Sequence, residues 1–437
     1  MLDLLVIGAG LAGLSAAIAA AKAGLQVRVI AKGQGATHWH AGTIDVLGYL
    51  PETDTPVQTP LVELENLLPD HPYRLLGATK LKEALFTWQD WLTESGLGYG
   101  NHLPHPNPPQ GEGIVDGASK QNLWLPSPVG AARPVFFAPQ AQLAGDLSRR
   151  EPLLIVGFQG LRDFYPQWIA ENLTKQGHQA RAVFLPYDVL TSLRDRNNVQ
   201  LAEALEAPSV RARLGAALKE VCQPGERIGL PAILGVNDHC ATLADLQAQT
   251  GAPIFEIPTL PPSVPGIRLY RALRQVLIQA GGRIETNMEA IGFHAEGQTI
   301  RWVETATSSR PLKHYAKHFL LATGGVLGGG FTSDHTGRFW ETIFNLPLTV
   351  PQDRSQWFHH QFLHPQGQPV FSSGVCVNGE FQPVDQKGAL RYNNLWAAGG
   401  VLAHADPIRT RSLEGMAIAT GIASYQNISA AQSNRIN

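Results

Sequence analysis

The chain has 437 residues, of which 44% are hydrophobic and 16% charged, and its formal net charge is −2. A chain of this length normally divides into two or three lobes, and the near-neutral charge argues against a nucleic-acid-binding or membrane-surface protein. Three scattered cysteines, Cys222, Cys240 and Cys376, argue against a disulfide framework or a cysteine-ligated iron–sulfur cluster and indicate a cytoplasmic protein.

The first 30 residues predict a strand, a glycine-rich turn, a helix and a second strand. Residues 4–7 are an apolar run typical of a buried strand, residues 14–23 are rich in small helix formers, and residues 26–30 form the second strand. Asp3 follows directly on Leu2 and no lysine precedes Lys22, which is not the pattern of a secretory signal. The segment is therefore predicted to be part of a folded domain.

Glycines at positions 8, 10 and 13 form the G-x-G-x-x-G fingerprint of dinucleotide-binding folds in its required context. The first glycine permits the tight turn, the second lets a pyrophosphate approach the backbone, and the third lets helix and strand pack closely. The N–H groups at the helix start then face the phosphates. We predict a cofactor site at Gly8, Gly10, Leu11, Ala12 and Gly13; the alternative is a glycine turn that serves packing alone.

The acidic residue that binds ribose hydroxyls after the second strand in many such folds is absent, since the chain continues Ala31, Lys32, Gly33. This absence weakens a nicotinamide interpretation. Lys32 and Gly33 are candidates for contact with a phosphate, and a solvated lysine at a strand end is the equally weighted alternative.

The stretch GATHWHAGTIDVL, residues 35–47, has the small residues typical of a flavoprotein loop that passes the pyrophosphate and the isoalloxazine ring. We predict that the N–H groups of Ala41 and Gly42 face flavin N5 and O4, and that Thr37 and Thr43 lie nearby. His38 and His40 are candidates for contact with the ring, although a loop histidine is more often solvated.

Two later segments repeat the strand-then-glycine pattern. Residues 319–322 form an apolar strand before a glycine turn, and residues 395–398 form another before a polar loop and a helix that starts at about residue 413. A helix start aimed at flavin N1 and O2 stabilises negative charge on the reduced ring. The predicted flavin contacts in these segments are Ala322, Thr323, Gly324, Gly399, Gly400, Leu413, Glu414 and Gly415.

Residues 151–260 predict a different unit. Strands at 153–156 and 180–185, an intervening helix, a helical stretch to about residue 221 and two further strands around a helix at 240–249 indicate an inserted α/β lobe with its own sheet. We therefore predict an α/β fold, a Rossmann-like FAD-binding domain with a parallel central sheet. Residues 1–50 and 261–437 form that domain, and residues 51–150 form an irregular, partly helical insertion with a Pro-rich loop at 102–113.

Several stretches together resemble the B subunit of anaerobic glycerol-3-phosphate dehydrogenase, over nearly the whole chain and in order: GAGLAGL, KGQGATHWHAGTIDVLGYLP, HPYRLLG, LIVGFQGLRDF, IPTLPPSVPGIRL and NNLWAAGGVLAHADPI. The resemblance implies a flavoprotein, assigned FMN in that family, in a complex that oxidises sn-glycerol 3-phosphate to dihydroxyacetone phosphate. It implies two partners: a second flavoprotein, which is the A subunit, and a membrane-associated iron–sulfur subunit that passes electrons to quinone. The chain is then expected on the cytoplasmic face of the cell membrane, held there by its partners.

The sequence departs from the family where a glycine-rich run is expected after Asp-Pro-Ile. Here the chain has Arg409, Thr410 and Arg411 before Ser412. We predict that Arg409 and Arg411 bind a substrate phosphate or carboxylate, and the alternative is that they pair with Asp406 and Glu414. His40 and His404 are the candidate catalytic bases.

Two questions stay open at this stage. The complete glycine fingerprint favours FAD, whereas the missing acidic residue and the family resemblance favour FMN. Two other functions compete with the role in the dehydrogenase complex: a stand-alone flavin oxidoreductase acting on a dicarboxylate, and a non-catalytic electron-relay or assembly protein.

Overall fold

The computed structural model describes residues 1–51, 53, 55–101, 120–193 and 195–433; the predicted Pro-rich loop at 102–113 lies outside them. The strands are β1 Leu2–Ile7, β2 Val27–Ile30, β3 Tyr99–Gly100, β4 Leu123–Pro126, β5 Ala132–Val135, β6 Ala138–Pro139, β7 Leu153–Phe158, β8 Ala180–Leu185, β9 Arg227–Pro231, β10 Ile254–Ile257, β11 Arg283–Glu285, β12 Ala290–Glu296, β13 Thr299–Thr305, β14 Leu312–Leu321, β15 Phe331–Ser333, β16 Phe339–Glu341 and β17 Leu395–Ala397. The helices are α1 Leu11–Lys22, α2 Pro72–Leu76, α3 Ala78–Glu94, α4 Gln140–Leu143, α5 Pro166–Lys175, α6 Asn198–Leu205, α7 Pro208–Val221, α8 His239–Thr250, α9 Val264–Gln279 and α10 Leu413–Ser433.

The larger sheet has β1 near its centre, in the order β11-β2-β1-β14, and β14 pairs β13 through its first half and β17 through its end. β1 runs parallel to both neighbours, with Leu4 opposite Val27 on β2 and His318 on β14. Leu4, Leu5 and Val6 are fully buried, as expected of a parallel strand covered on both faces. The predicted α/β fold with parallel strands at its centre is confirmed, and the larger sheet as a whole is mixed, because β12 and β13 join it antiparallel.

Helix α10 packs across α1 at short range. A Cβ on Gly421 would lie 2.3 Å from the Ala12 carbonyl oxygen, and one on Gly399 would lie 2.7 Å from the Ala12 Cβ. Only residues without side chains allow this approach. The end of the chain therefore lies against its first helix, so that two segments at opposite ends of the sequence form one layer.

A second sheet has the order β10-β9-β7-β8, and all of its strands are parallel. Its strands and helices lie where the sequence predicts them between residues 151 and 260. The domain boundaries proposed at residues 50, 150 and 260 stay a prediction.

A buried ion pair joins this second sheet to the helix that leads into the larger one. Arg268 on α9 donates to both carboxylate oxygens of Glu256 on β10, at 2.7 and 2.8 Å, and to the Gly235 carbonyl at 2.7 Å. Their side chains are only 3% and 0% exposed. A bidentate pair of this kind fixes orientation as well as distance.

Strands β12 and β13 of the larger sheet were not predicted. β12 and β13 form an antiparallel hairpin that adds to the first half of β14.

Among the described residues, no helix is both long and apolar enough to cross a bilayer.

Candidate active site

A cavity of about 240 Å³ opens at the N-terminus of α1, and five segments form its walls. They are the start of α1, the loop after β2, the glycine turn after β14, residues 371–373, and the stretch from the end of β17 into the start of α10. The predicted site residues on its walls are Gly10, Leu11, Ala12, Thr37, His40, Ala322, Gly324, Gly400, Leu413 and Glu414. Further wall residues are Ala36, Gly325, Val326, Leu327, Gly328, Phe371, Ser373, Ala398, Pro407, Ile408 and Ala417.

The three fingerprint glycines have different surroundings. A Cβ on Gly13 would lie 2.0 Å from the Gly8 carbonyl oxygen, and one on Gly8 would lie 2.1 Å from the Ala322 carbonyl oxygen. These two glycines serve close packing. A Cβ on Gly10 would meet no atom within 4 Å. Gly10 therefore borders open space at the helix mouth, where a phosphate group has room.

The glycine turns after β14 and β17 meet at the cavity. A Cβ on Gly325 would lie 2.5 Å from the Gly400 carbonyl oxygen, so the two turns touch through their backbones. The N–H of Gly399 donates to the Thr420 hydroxyl at 2.9 Å, which gives Gly399 a structural role. The hydroxyl of Thr323 is buried with no partner among the described residues.

Side chains from several elements hold the loop after β2 in place. The Gln142 amide donates to the Ala41 carbonyl at 2.8 Å, the Ser263 hydroxyl to the His40 carbonyl at 2.7 Å, and the Tyr99 hydroxyl to the Gly42 carbonyl. Gly42 adopts φ +80° and its N–H donates to His40 Nδ1 at 2.8 Å. Because this N–H already donates within the loop, the expectation that it faces flavin N5 or O4 is corrected.

A buried charged cluster lies beside the cavity. Arg133 donates to the Thr43 hydroxyl at 2.8 Å, and Arg411 donates to Asp45 at 3.2 Å. Asp45 is 7% exposed and Arg133 6% exposed, and each keeps one buried polar atom, Oδ1 and Nε, without a partner among the described residues. Burial, opposed by the two guanidinium groups, raises the pKa of Asp45, and burial lowers the pKa of Arg133 to about 10.

Glu414 connects this cluster to the cavity, since it lines the wall and belongs to the first turn of α10. Burial and the nearby Asp45 charge raise the pKa of Glu414 to about 8. With Asp45 ionised and Glu414 protonated, Arg133 and Arg411 give this cluster a net positive charge. The cluster lies beside the cavity, and Glu414 on the cavity wall changes charge near neutral pH.

This arrangement predicts a pH-dependent stability in the flavin-free protein. Glu414 has a folded pKa of about 8 against an ordinary value of 4.5, so between those values the folded state retains a proton that the unfolded chain has released. The free energy of unfolding is expected to fall as the pH rises from 4.5 to 8 and to level off above it. Urea unfolding at several pH values in this range should show that the free energy of unfolding changes less with pH in Glu414→Gln than in wild type. The control is Glu203→Gln, on an exposed face of α6. An equal dependence on pH in the two variants would contradict the prediction.

Several predicted site residues lie away from the cavity wall. His404 lines a separate cavity, where its Nε2 lies 3.5 Å from the Cys376 sulfur, so the structure does not support it as a base at the flavin. Lys32 and Gly33 are exposed, and Lys32 pairs with Glu289 at 2.8 Å, in agreement with the solvated alternative. A Cβ on Gly415 would lie 2.7 Å from the Tyr73 hydroxyl, so Gly415 serves packing.

The two predicted arginines differ in position. Arg411, with φ +48°, pairs with Asp45 and not with the predicted Glu414. The Arg409 backbone N–H donates to the Asp406 carboxylate at 3.1 Å, next to Pro407 and Ile408 of the cavity wall. Both arginines lie beside the wall and not on it.

Sequence reasoning missed Arg133, Gln142 and Tyr99, although they hold the loop after β2 in place. The one signal for Arg133 is a charged residue inside an apolar hairpin strand, ARPVFF. Gln142 and Tyr99 carry no such signal, because a glutamine and a tyrosine are common in any surface segment.

The residues present fit FAD. The space beside Gly10 suits a pyrophosphate at the mouth of α1. The mostly apolar walls suit a flat ring, and the unpartnered Thr37 hydroxyl and His40 Nε2 are polar atoms of wall residues that a bound cofactor would satisfy.

Comparison with known proteins agrees with this geometry. A family model described as FAD binding domain matches residues 3–413. The predicted flavin is therefore confirmed, and between the two flavins the matching model is one for FAD. Among solved structures, 3-ketosteroid Δ1-dehydrogenase from Sterolibacterium denitrificans is similar over 98% of this chain and 99% of its own, at 10% identity and a TM-score of 0.42.

Two curated relatives share 31% identity with this chain. One is the B subunit of anaerobic glycerol-3-phosphate dehydrogenase from Vibrio cholerae, matched over 98% of this chain and 96% of its own length. The other is the probable B subunit of the same enzyme from Halobacterium salinarum, matched over 96% of both chains. At this identity over nearly the whole length, the chain belongs to the family of anaerobic glycerol-3-phosphate dehydrogenase B subunits, within the FAD-binding-domain proteins.

Proposed function

We propose that the chain takes part in the FAD-dependent oxidation of sn-glycerol 3-phosphate to dihydroxyacetone phosphate, as the B subunit of a multi-subunit dehydrogenase that passes electrons to quinone. The observation that carries this proposal is the cationic cluster of Arg133 and Arg411 directly behind a cavity that fits FAD. A phosphorylated substrate brings the negative charge that such a cluster attracts. The names of the relatives support the substrate.

Oxidation of a secondary alcohol needs a hydride acceptor, a proton acceptor and an anchor that orients the substrate. When bound, FAD supplies the hydride acceptor. Glu414 takes the hydroxyl proton, because it lines the cavity and its raised pKa of about 8 suits proton transfer near neutral pH. The carbon loses a hydride and the oxygen loses a proton, which leaves the ketone.

Arg409 and Arg411 bind the substrate phosphate in this proposal, reaching it from the loop before α10. Replacing both with alanine is expected to raise KM for glycerol 3-phosphate by roughly tenfold to hundredfold, the range for losing charge-assisted hydrogen bonds. Steady-state kinetics of the intact complex, with Arg301→Ala on the β12–β13 hairpin as control, would measure this. An unchanged KM would remove both arginines from the site.

The proposed partners are a membrane-associated iron–sulfur subunit, which would keep this chain at the cytoplasmic face of the membrane, together with a second flavoprotein. Large apolar side chains are exposed in the segment that precedes the wall residue Phe371 and on the wall itself: Phe362 is 90% and Leu363 87% exposed, and Leu327 and Ile408 are exposed on the wall. Phe358, in the same segment and also exposed, contacts Phe371. An apolar patch of this kind is typical of a protein interface.

The double substitution Phe362→Ser and Leu363→Ser is expected to reduce co-purification of the partner subunits by about tenfold or more while leaving bound FAD unchanged. Trp168→Ser is the matched control, since Trp168 is also exposed, on α5 beside the other sheet. Equal recovery of the partners with both variants would exclude the patch from the interface.

The proposed function itself is tested by the absorption spectrum of the purified chain and of the complex. A flavin spectrum that bleaches on addition of glycerol 3-phosphate, and FAD released on denaturation, are the expected results. A colourless protein, or a flavin bleached by a dicarboxylate and not by glycerol 3-phosphate, would overturn it.

A further inference from the structure

His40 is held in one orientation by the loop that carries it. Its Nδ1 accepts the N–H of Gly42 at 2.8 Å, and its carbonyl accepts the Ser263 hydroxyl at 2.7 Å. The next two carbonyls, of Ala41 and Gly42, accept from Gln142 and Tyr99. With three consecutive carbonyls bound by other elements, the ring has little freedom to turn over.

The hydrogen bond from Gly42 determines which ring nitrogen carries the proton. A backbone N–H can only donate, so Nδ1 must present a lone pair and the proton of the neutral ring lies on Nε2. A charged ring would place an N–H of its own against the N–H of Gly42, which is unfavourable. Burial and the adjacent Arg133 charge act in the same direction and lower the pKa of His40 to about 4.

The protonated nitrogen has no partner within the described residues. Nε2 of His40 is buried and makes no hydrogen bond, while His40 itself lines the cavity. Buried donors are normally satisfied, so this one indicates an acceptor that binds in the cavity. Among the charged groups, Arg133 acts on the ring directly and Glu414 lines the same cavity, whereas Asp45 and Arg411 act on Arg133 and Glu414.

We propose that His40 is a neutral hydrogen-bond donor, acting through Nε2–H on an acceptor atom bound in the cavity, and that it is not the proton acceptor of the reaction. The proposal rests on the proposed function for the identity of that acceptor. Two sources have the same chemistry: the substrate oxygen as it loses its proton to Glu414, and an acceptor atom of the FAD ring. A neutral donor stabilises negative charge on either one.

The tautomer can be tested in the flavin-free full chain by NMR of protein labelled with ¹⁵N-histidine, independently of any activity. The expected result is a neutral ring protonated on Nε2 throughout about pH 5.5 to 9, assigned by its disappearance in His40→Gln. A charged ring at about pH 6.5, or a ring protonated on Nδ1, would overturn the proposal. If glycerol 3-phosphate did not reduce the flavin of the wild-type complex, the proposed function would be rejected, and the NMR result would still test the tautomer of His40.

Paired variants separate the two acceptors. His40→Gln keeps an N–H donor and is expected to stay within a few-fold of wild type, whereas His40→Leu is expected to lose about a hundredfold. A loss in kcat places the acceptor on the substrate, and a weaker Kd for FAD places it on the cofactor. The decrease of kcat/KM on the acid side of its pH profile should still be present in His40→Gln, with His294→Gln as control. Absence of that decrease, or full activity of His40→Leu, would contradict a donor role.

Discussion

Replacing Gly10 with valine is expected to leave the flavin-free protein folded and to abolish FAD binding. Gly10 has φ −79° and ψ −177°, an extended conformation that valine adopts readily, and a Cβ there would meet no atom within 4 Å. The added side chain would fill the space at the helix mouth that a pyrophosphate needs. Flavin absorbance per chain should fall by more than about tenfold, while the Tm of the flavin-free protein changes by a few degrees at most.

Gly13→Ala is the matched control, three residues further into α1. Its Cβ would lie 2.0 Å from the Gly8 carbonyl oxygen, so helix and strand must separate and the variant should lose about 1–3 kcal/mol of stability or more. The two variants are then impaired for different reasons: Gly10→Val loses FAD binding, and Gly13→Ala loses folding stability. Normal FAD content in Gly10→Val would show that the cofactor phosphates lie elsewhere.

Breaking the Arg268–Glu256 pair is expected to cost about 3–5 kcal/mol of unfolding free energy, because the remaining charge would be buried without its partner. This is a large share of the roughly 5–15 kcal/mol that stabilises a domain. Arg268→Met and Glu256→Leu should each show the loss in urea unfolding. The double variant should recover part of it, since two apolar side chains bury no charge while the Gly235 carbonyl and the Leu234 N–H lose their hydrogen-bond partners.

The exposed pair Arg301–Glu296, with side chains 51% and 60% exposed, provides the comparison. Arg301→Met should cost at most about 1 kcal/mol, because water already solvates both groups. An equal loss in the two single variants, Arg268→Met and Arg301→Met, would mean that burial does not govern the contribution of the Arg268 pair.

The strands and helices around the cofactor could be predicted because their signals are local. The apolar run of β1, the spacing of Gly8, Gly10 and Gly13, and the glycines that follow β14 and β17 each depend on a few neighbouring residues. The hairpin β12–β13 was missed because its strands are partly exposed and lack a continuous apolar run.

A place for a dinucleotide-type cofactor at the first helix can be predicted from the linear chain, because three nearby glycines meet its local needs: Gly8 at the tight turn, Gly10 at the approach of the phosphate and Gly13 at the close helix–strand contact. The polar groups that surround this place depend on packing. Arg133, Asp45 and Glu414 lie far apart in the chain and meet only in the fold, and the tautomer of His40 follows from one hydrogen bond. Charge and proton position depend on burial and on distances between remote residues, and a linear pattern contains neither.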